Sequence, residues 1–216
     1  RYLCLFAHYD RDDVVDPYVA IYLQALTRMD VEIVFISETQ AEAQLATIRP
    51  YVSKFLVKNG AGRDFGSWWL ALKTLGLEHG LGYDRVIFAN DSIYFPVQPL
   101  PPLFADLEAK KFNLYGLSDS RDANAYHLQS FFLAFDRKAQ AQVFPEFVER
   151  FETDYVLTKW GQIREYEIGL TQIAQAKGLS VGAYFSIDDC REDVIRVSRL
   201  PEWGEKMRSG LSRVNP

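Results

Sequence analysis

The sequence predicts an α/β fold in which a mostly parallel sheet is flanked by helices. Short apolar runs typical of buried strands alternate with stretches of helical length, which is the pattern of doubly wound sheets. Polar or glycine-rich residues follow two of these runs directly, at the strand ends where such sheets bind ligands. With 216 residues, 48% of them hydrophobic, the chain is long enough to form one sizeable domain.

Four strands separated by helices are expected in the first half of the chain. The strands cover residues 2–8, 31–37, 54–58 and 85–90, and the helices cover residues 16–29, 41–51 and 65–75. Asp16 is the expected N-cap of the first helix, because Pro17 follows it and suits a first turn.

The second half is expected to be smaller and less regular. Helices are predicted at residues 104–111, 146–155 and 165–177, and strands at 113–117, 130–136 and 181–185. Gly178 is the expected C-cap of the last helix. The domain is therefore expected to span residues 1–190, with 191–216 as a surface segment or a link to further domains of a longer protein.

Composition excludes several classes of function. The net charge of −5 and the pI of about 5.3 argue against nucleic-acid binding, which depends on a basic surface. No apolar run approaches the roughly 20 residues of a membrane span, and no signal peptide opens the sequence. Cys4 and Cys190 lack metal-ligand spacing, so free thiols in a reducing compartment are expected.

The fourth strand ends in three consecutive polar residues, Asn90, Asp91 and Ser92. A carboxylate at this position of a doubly wound sheet points into the ligand crevice. Asp91 is therefore predicted to ligate a divalent cation that bridges a diphosphate, or to accept hydrogen bonds from a sugar. The alternative is a simple turn, because all three residue types favour turns.

A glycine-rich segment follows the third strand, in the sequence KNGAGRDFGSWW at residues 58–69. Its glycines allow the backbone to approach a ligand closely, Arg63 can pair with phosphate, and Asp64 lies just before the expected helix. The spacing matches neither the P-loop nor the Rossmann fingerprint. The alternative is an ordinary glycine turn with Asp64 as a helix cap.

Two acids, Glu165 and Glu167, lie where the last helix is expected to begin. The positive end of a helix dipole favours ionised carboxylates, so either residue is a candidate general base if it faces the crevice. The alternative is the usual enrichment of acids in a first helical turn.

Four segments in order resemble the rhamnan synthesis protein F family, a group of bacterial glycosyltransferases with a GT-A-like fold. They are HYDRDDVVDPYV, GRDFGSWW, FANDSIYFP and YHLQSFFLAF, and the resemblance covers roughly residues 2–190. It implies a rhamnosyltransferase that builds rhamnose-containing polysaccharides of the cell envelope, such as O-antigen, often as one module of a larger protein.

The resemblance also implies a donor site at the strand ends, with the nucleotide sugar dTDP-β-L-rhamnose as the donor. The nucleotide would be contacted by His8, Tyr9 and Asp10. The loop that lines the donor would contain Asn59, Gly60, Arg63 and Asp64. The place of the D-x-D motif, which holds the metal and the diphosphate, is taken by Asn90, Asp91 and Ser92. Because Asn90 and Ser92 replace the usual acids, Asp91 alone would hold Mg²⁺ or Mn²⁺, and dependence on a metal is left open. Arg63, Lys58 or backbone N–H groups are the alternative stabilisers of the diphosphate.

On the acceptor side, the resemblance implies Glu167 as the general base, with Glu165 in reserve. His127, Gln129 and Ser130 would contact a glycan or lipid-linked glycan acceptor, with a structural histidine as the alternative for His127. An inverting reaction is implied, in a cytoplasmic protein that does not insert into the membrane; peripheral contact with the inner membrane face is left open. A non-catalytic module that binds sugars or nucleotide sugars is the alternative function, because the D-x-D motif is incomplete.

Overall fold

A computed structural model describes residues 1–60, 62–121, 125–153 and 158–189. Within these residues, eight strands form one sheet in the order β3-β2-β1-β4-β7-β5-β6, with β8 paired to β5. Four of the seven strand pairings described are parallel, and helices flank the sheet. The predicted α/β class is therefore confirmed. The predicted tail at 191–216 and Cys190 lie outside the described residues.

The first half is a parallel βαβ array that closely follows the prediction. Its strands are β1 (Tyr2–His8), β2 (Val31–Ser37), β3 (Lys54–Val57) and β4 (Arg85–Asn90), and its helices are α1 (Pro17–Thr27), α2 (Glu42–Ile48) and α3 (Arg63–Leu75). Strand β1 lies between β2 and β4, so that Tyr2 is paired with both Val31 and Arg85. The central strands are buried on both faces, which explains their nearly continuous apolar sequence.

The boundaries of all three helices in this half differ from the prediction; helix α2 ends at Ile48 rather than residue 51, and a 3-10 turn covers Arg49–Tyr51. Helix α1 ends at Thr27 rather than residue 29, and Asp16 holds the N-cap position without a side-chain hydrogen bond. Helix α3 begins at Arg63, so Asp64 lies inside the first turn rather than before it.

The second half combines antiparallel and parallel pairing. Its elements are α4 (Pro101–Lys110), β5 (Leu114–Ser120), β6 (His127–Leu128), β7 (Phe132–Asp136), α5 (Arg137–Thr153), α6 (Lys159–Gln162), a π-helical segment (Ile163–Ile168), α7 (Gly169–Ala176) and β8 (Val181–Phe185). Strand β7 runs antiparallel to both β4 and β5. The chain therefore returns across the sheet after β4 and places its last helices beside the carboxyl end of that strand.

Several boundaries predicted in this half are wrong. Helix α4 begins at Pro101 rather than residue 104. Helix α5 begins at Arg137, nine residues before the predicted start, because the Asp136 carboxylate accepts a hydrogen bond from the Ala139 N–H (2.8 Å) and so caps it. The predicted end of this helix at residue 155 lies outside the described residues.

The last helical region also begins earlier than predicted. It starts at Lys159, so Glu165 and Glu167 lie in its middle, within the π-helical segment. The argument from the helix dipole is therefore wrong for both acids, since the dipole acts mainly within the first turn. A π-helical segment carries one extra residue per turn and is frequent at functional sites.

The apolar core fills both sides of the sheet and anchors the helix that carries Arg63 and Asp64. The Trp68 ring stacks on Phe88 at 4.9 Å, and its indole N–H donates to the Leu5 carbonyl (3.0 Å). These contacts tie α3 to β1 and β4. None of the described helices combines the length and the apolarity needed to cross a bilayer.

Candidate active site at the carboxyl ends of the strands

A cavity of about 570 Å³ opens where β1, β2 and β4 end. The glycine-rich segment and the start of α3 form one wall of it. The residues that line it are His8, Tyr9, Asp10, Asp16, Tyr18, Glu38, Lys58, Gly60, Gly62, Arg63, Asp64, Asp91, Ser92 and Gln162. The predicted donor residues therefore converge on one cavity, apart from Asn59 and Asn90.

Asp91 lies just beyond β4 and faces this cavity. Its Oδ2 accepts a hydrogen bond from the Tyr9 backbone N–H (3.3 Å) and lies 3.7 Å from His8 Nε2. The Tyr18 hydroxyl donates to the Asp91 carbonyl (2.6 Å). Burial, and next the nearby charge of Asp64, raise the pKa of Asp91 to about 7. Among the described residues, no Lys or Arg forms an ion pair with this carboxylate, so its negative charge is poorly balanced.

The glycine-rich segment turns with backbone conformations that favour glycine. Gly60 and Gly62 have φ angles of 123° and 102°, and a Cβ on Gly62 would lie 2.7 Å from the Phe151 ring. Arg63 follows with φ of 47°, a left-handed conformation that is unusual outside glycine. Its exposed side chain makes no hydrogen bond or ion pair with the described residues. Lys58 is buried and paired with Glu38 (3.1 Å).

Asn90 forms an internal bridge. It is 1% exposed, and its Nδ2 donates to Asp64 Oδ2 (2.9 Å) and to the Ser130 carbonyl (3.4 Å). Its Oδ1 accepts from the Ser92 N–H (3.1 Å). Burial raises the pKa of Asp64 to about 6, although the Asn90 hydrogen bond opposes this. Asn90 is thus committed to protein groups at the place where a D-x-D motif would have its first acid.

Glu167 is held by Ser130. The Ser130 backbone N–H donates to Glu167 Oε2 (2.9 Å), and the Ser130 hydroxyl donates to the same oxygen. The other oxygen, Oε1, lies 3.8 Å from Nε2 of His127, whose Nδ1 is 2.9 Å from the Ala125 carbonyl. One oxygen of the carboxylate is therefore fixed while the other makes no hydrogen bond within the described part of the chain.

These contacts join both acid sites into one network. Asp64, Asn90, Ser130 and Glu167 are linked in that order by hydrogen bonds, and the charge of Glu167 contributes to the raised pKa of Asp64. The structure thus brings Glu167 next to the donor cavity, although its side chain is not part of the lining.

The remaining candidates have different surroundings. Glu165 pairs with its neighbour Arg164 (2.9 Å) at the surface, away from this network. Gln129 Oε1 accepts from the Ser118 hydroxyl (2.8 Å). Asp10 accepts from the backbone N–H groups of Val14 and Asp12, which lower its pKa. Asn59 is exposed beside the cavity.

Four lining residues were not predicted, namely Asp16, Tyr18, Glu38 and Gln162. Glu38 directly follows β2, and Asp16 opens the helix after β1, so the rule that ligands bind beyond strand ends pointed to both. Gln162 comes from a distant helix, and no local pattern marks it.

The side chains around the cavity can be compared with the ligands that a metal ion requires. Across the described residues, no cluster of three or more His, Cys, Asp or Glu side chains has a geometry suited to a metal ion. Asp91 nevertheless fits as one ligand, because its buried carboxylate faces the cavity and has excess negative charge around it. A cation would then need further ligands from a bound diphosphate or water.

The chain matches the rhamnan synthesis protein F family over residues 33–198, well over half of its length, and therefore belongs to that family. Membership confirms the resemblance found in the sequence and supports a glycosyltransferase of polysaccharide synthesis. Among solved structures, the chain is similar to the galactosyltransferase LgtC in complex with donor and acceptor sugar analogs. The TM-score is 0.48 and the identity 14%, over 85% of this chain and 73% of that one. The search of curated proteins gave no match.

Proposed function

We propose that this chain transfers rhamnose, or a related deoxysugar, from a nucleoside diphosphate donor to a growing bacterial polysaccharide with inversion at the anomeric carbon. The observation that carries this proposal is the network from Asp64 to Glu167. This network sets a carboxylate, one oxygen of which makes no hydrogen bond with the described residues, beside a cavity lined by Asp91, Arg63 and the glycines of the glycine-rich segment.

The cavity would bind the donor, with dTDP-β-L-rhamnose as the first candidate. The exposed Arg63 and the backbone of the glycine-rich segment would hold the diphosphate, since a guanidinium and N–H groups both suit phosphate oxygens. His8, Tyr9 and Asp10 would contact the nucleotide. A divalent cation at Asp91 would, when bound, neutralise charge that develops on the leaving diphosphate.

Glu167 would act as the general base. Because Ser130 holds Oε2, the free Oε1 would take the proton from an acceptor hydroxyl. The acceptor oxygen then bonds to the anomeric carbon while the bond from that carbon to the diphosphate oxygen breaks. Attack opposite the leaving group inverts the configuration and gives an α-linked rhamnoside. His127 and Gln129 would contact the acceptor, while Ser130 would position the base.

The acceptor would be a glycan or lipid-linked glycan at the cytoplasmic face of the inner membrane, and further domains of the same polypeptide would act on the same product. A non-catalytic module that binds nucleotide sugars is the second candidate. It is favoured by the commitment of Asn90 to Asp64, which leaves Asp91 as the single acid of the D-x-D position.

One experiment separates the two functions. Purified protein is incubated with dTDP-β-L-rhamnose and other nucleotide sugars, with glycan acceptors, and with Mn²⁺, Mg²⁺ or EDTA, while released nucleoside diphosphate is measured. Release that depends on acceptor supports the transferase. A donor that raises the melting temperature without any release supports the binding module, and neither binding nor release contradicts both.

A further inference from the structure

Two of the described residues that line the donor cavity have cationic side chains, Lys58 and Arg63. Arg63 is exposed and is already assigned to the diphosphate. Lys58 differs, because its side chain is only 8% exposed and its Nζ lies 3.1 Å from Glu38 Oε1. A lysine is almost never buried to this extent unless it is paired, so the ion pair with Glu38 is what holds this ammonium beside the cavity.

Adjacent strand ends bring Lys58 and Glu38 together. Strands β2 and β3 are parallel, with Ser37 paired with Val57, so Glu38 and Lys58 are the next residues in the same register. The Lys58 backbone N–H donates to the Ser37 carbonyl (2.9 Å). Both side chains line the cavity, and the glycine-rich segment continues directly from Lys58. The ion pair therefore lies at the edge of the sheet where ligands bind.

The two partners of this ion pair differ in their access to water. The Glu38 side chain is 38% exposed, against 8% for Lys58, so the carboxylate can be hydrated without its partner, whereas the ammonium needs an anion nearby. Burial raises the pKa of Asp64, and the charge of Lys58 opposes that rise, which places the ammonium within electrostatic range of a second acid of the cavity. A ligand with several negative charges can therefore compete with Glu38 for Lys58.

We propose that Lys58 binds the diphosphate of the donor and separates from Glu38 when it does so. A diphosphate carries more than one negative charge and several acceptor oxygens, so it attracts a buried ammonium more strongly than a single carboxylate does. The Glu38 side chain then turns toward water. The inference rests on the proposed function for the identity of the ligand. It gives the leaving diphosphate a cationic contact that the protein itself supplies.

The test measures binding without turnover. Isothermal titration calorimetry gives the Kd of dTDP and of inorganic pyrophosphate in the presence of EDTA, so that neither a metal ion nor an acceptor contributes. Pyrophosphate makes the result independent of the nucleoside. We expect wild-type protein to bind both probes.

Two substitutions in the ion pair have opposite expected effects. Lys58→Met keeps a long side chain without the charge, so the affinity for both probes should fall about tenfold or more, the scale of a lost hydrogen bond to a charged group. Glu38→Gln removes the competing carboxylate, so the affinity should rise about twofold to fivefold, the scale of a partly exposed ion pair. In the double variant the gain from Glu38→Gln should disappear, because that gain acts through Lys58.

Each substitution has a matched control outside the cavity. Lys54→Met removes the same charge from an exposed residue at the other end of β3. Glu42→Gln removes a carboxylate from an exposed ion pair with Arg49. Neither Lys54 nor Glu42 lines the cavity, so both control variants should bind the probes as wild type does.

Three results would overturn the inference. They are unchanged affinity in folded Lys58→Met protein, no rise in affinity in Glu38→Gln protein, and no binding of either probe by wild-type protein in EDTA. The Glu38→Gln result decides alone if Lys58→Met does not fold. In each of these cases, release of nucleoside diphosphate that depends on acceptor would leave the proposed transferase intact. Conversely, the expected changes in affinity without release from any donor would support the Lys58 contact and the binding module rather than the transferase.

Discussion

The acids on the two sides of the site are held in different ways. Asp64 and Asp91, at the parallel half of the sheet, have pKa values raised to about 6 and about 7, mainly by burial; the charge of Glu167 adds to the rise at Asp64, and the charge of Asp64 adds to the rise at Asp91. Glu167, on the π-helical segment of the second half, receives two hydrogen bonds from Ser130 on one oxygen.

This difference indicates a division of labour. Ionisation of Asp64 and Asp91 is costly until a positive group binds, as the proposed donor site would require of a ligand or cation. Glu167 is oriented by the protein alone, as the proposed general base would need to be before an acceptor arrives.

The largest expected effect comes from removing the oriented carboxylate. Glu167→Gln should lower turnover by about two orders of magnitude or more, the scale of a lost general base, while donor binding measured by thermal shift stays unchanged. Glu165→Gln is the matched control, since its partner is the surface residue Arg164; it should stay within about twofold of wild type. Equal losses in both variants would assign no special role to Glu167.

A second change tests whether Asn90 is a structural bridge. Asn90→Asp would place a buried carboxylate against Asp64 Oδ2 and the Ser130 carbonyl, two acceptors with no donor. The free energy of unfolding at pH 8, from urea denaturation, should fall by about 3 kcal/mol.

The matched control for this change is Asn113→Asp. Asn113 Nδ2 likewise donates to a carboxylate, Asp136 (2.7 Å), but in a partly exposed setting, so the loss should be about 1 kcal/mol. If Asn90→Asp instead kept full stability and tightened Mn²⁺ binding, the side chain would be acting as a D-x-D acid, and the bridge interpretation would be wrong.

The smallest effect concerns stability and pH. In the folded state the pKa of Asp91 is about 7, against an ordinary value of 3.8. Between these values the folded state binds more protons than the unfolded state, so stability falls as pH rises through this range. Asp91→Asn should reduce this slope, most clearly between pH 6 and 7, because Asp64, with a pKa of about 6, still contributes below that range; the free energy of unfolding at pH 8 should rise on the order of 2 kcal/mol.

Thermal or urea unfolding at several pH values from 4 to 8 measures this effect. Asp12→Asn is the control, because the Asp12 side chain is largely exposed and its removal should leave the slope unchanged. A wild-type slope that persists in Asp91→Asn would show that another group carries the pH dependence.

Local sequence was sufficient for four of the eight described strands and for much of the cavity lining, whereas β3, β5 and β7 have bounds other than those predicted and the two-residue strand β6 was not predicted. Strands β1, β2, β4 and β8 begin and end where they were predicted, because apolar runs bounded by polar residues mark both ends. The polar residues at the end of β4 and the glycines at positions 60 and 62 could also be predicted from the sequence, because they directly follow such apolar runs. Residues that end adjacent parallel strands must meet at one edge, whatever the details of packing.

The tertiary structure alone decided the partners of these residues. Ser130 and Glu167 are 37 positions apart, so their hydrogen bond depends on how the π-helical segment packs beside the residues that precede β7. Asn90 and Asp64 are 26 positions apart, so theirs depends on how α3 packs against β4. The π-helical segment was likewise not predicted, because no local sequence pattern distinguishes it from an α-helix. Sequence determined the types of side chain at the strand ends, because side-chain chemistry and periodicity are local properties. Packing decided that Asn90 bridges Asp64 and Ser130, that Ser130 holds Glu167, and that Asp91 faces the cavity. Each of these placements depends on a neighbour far away along the chain.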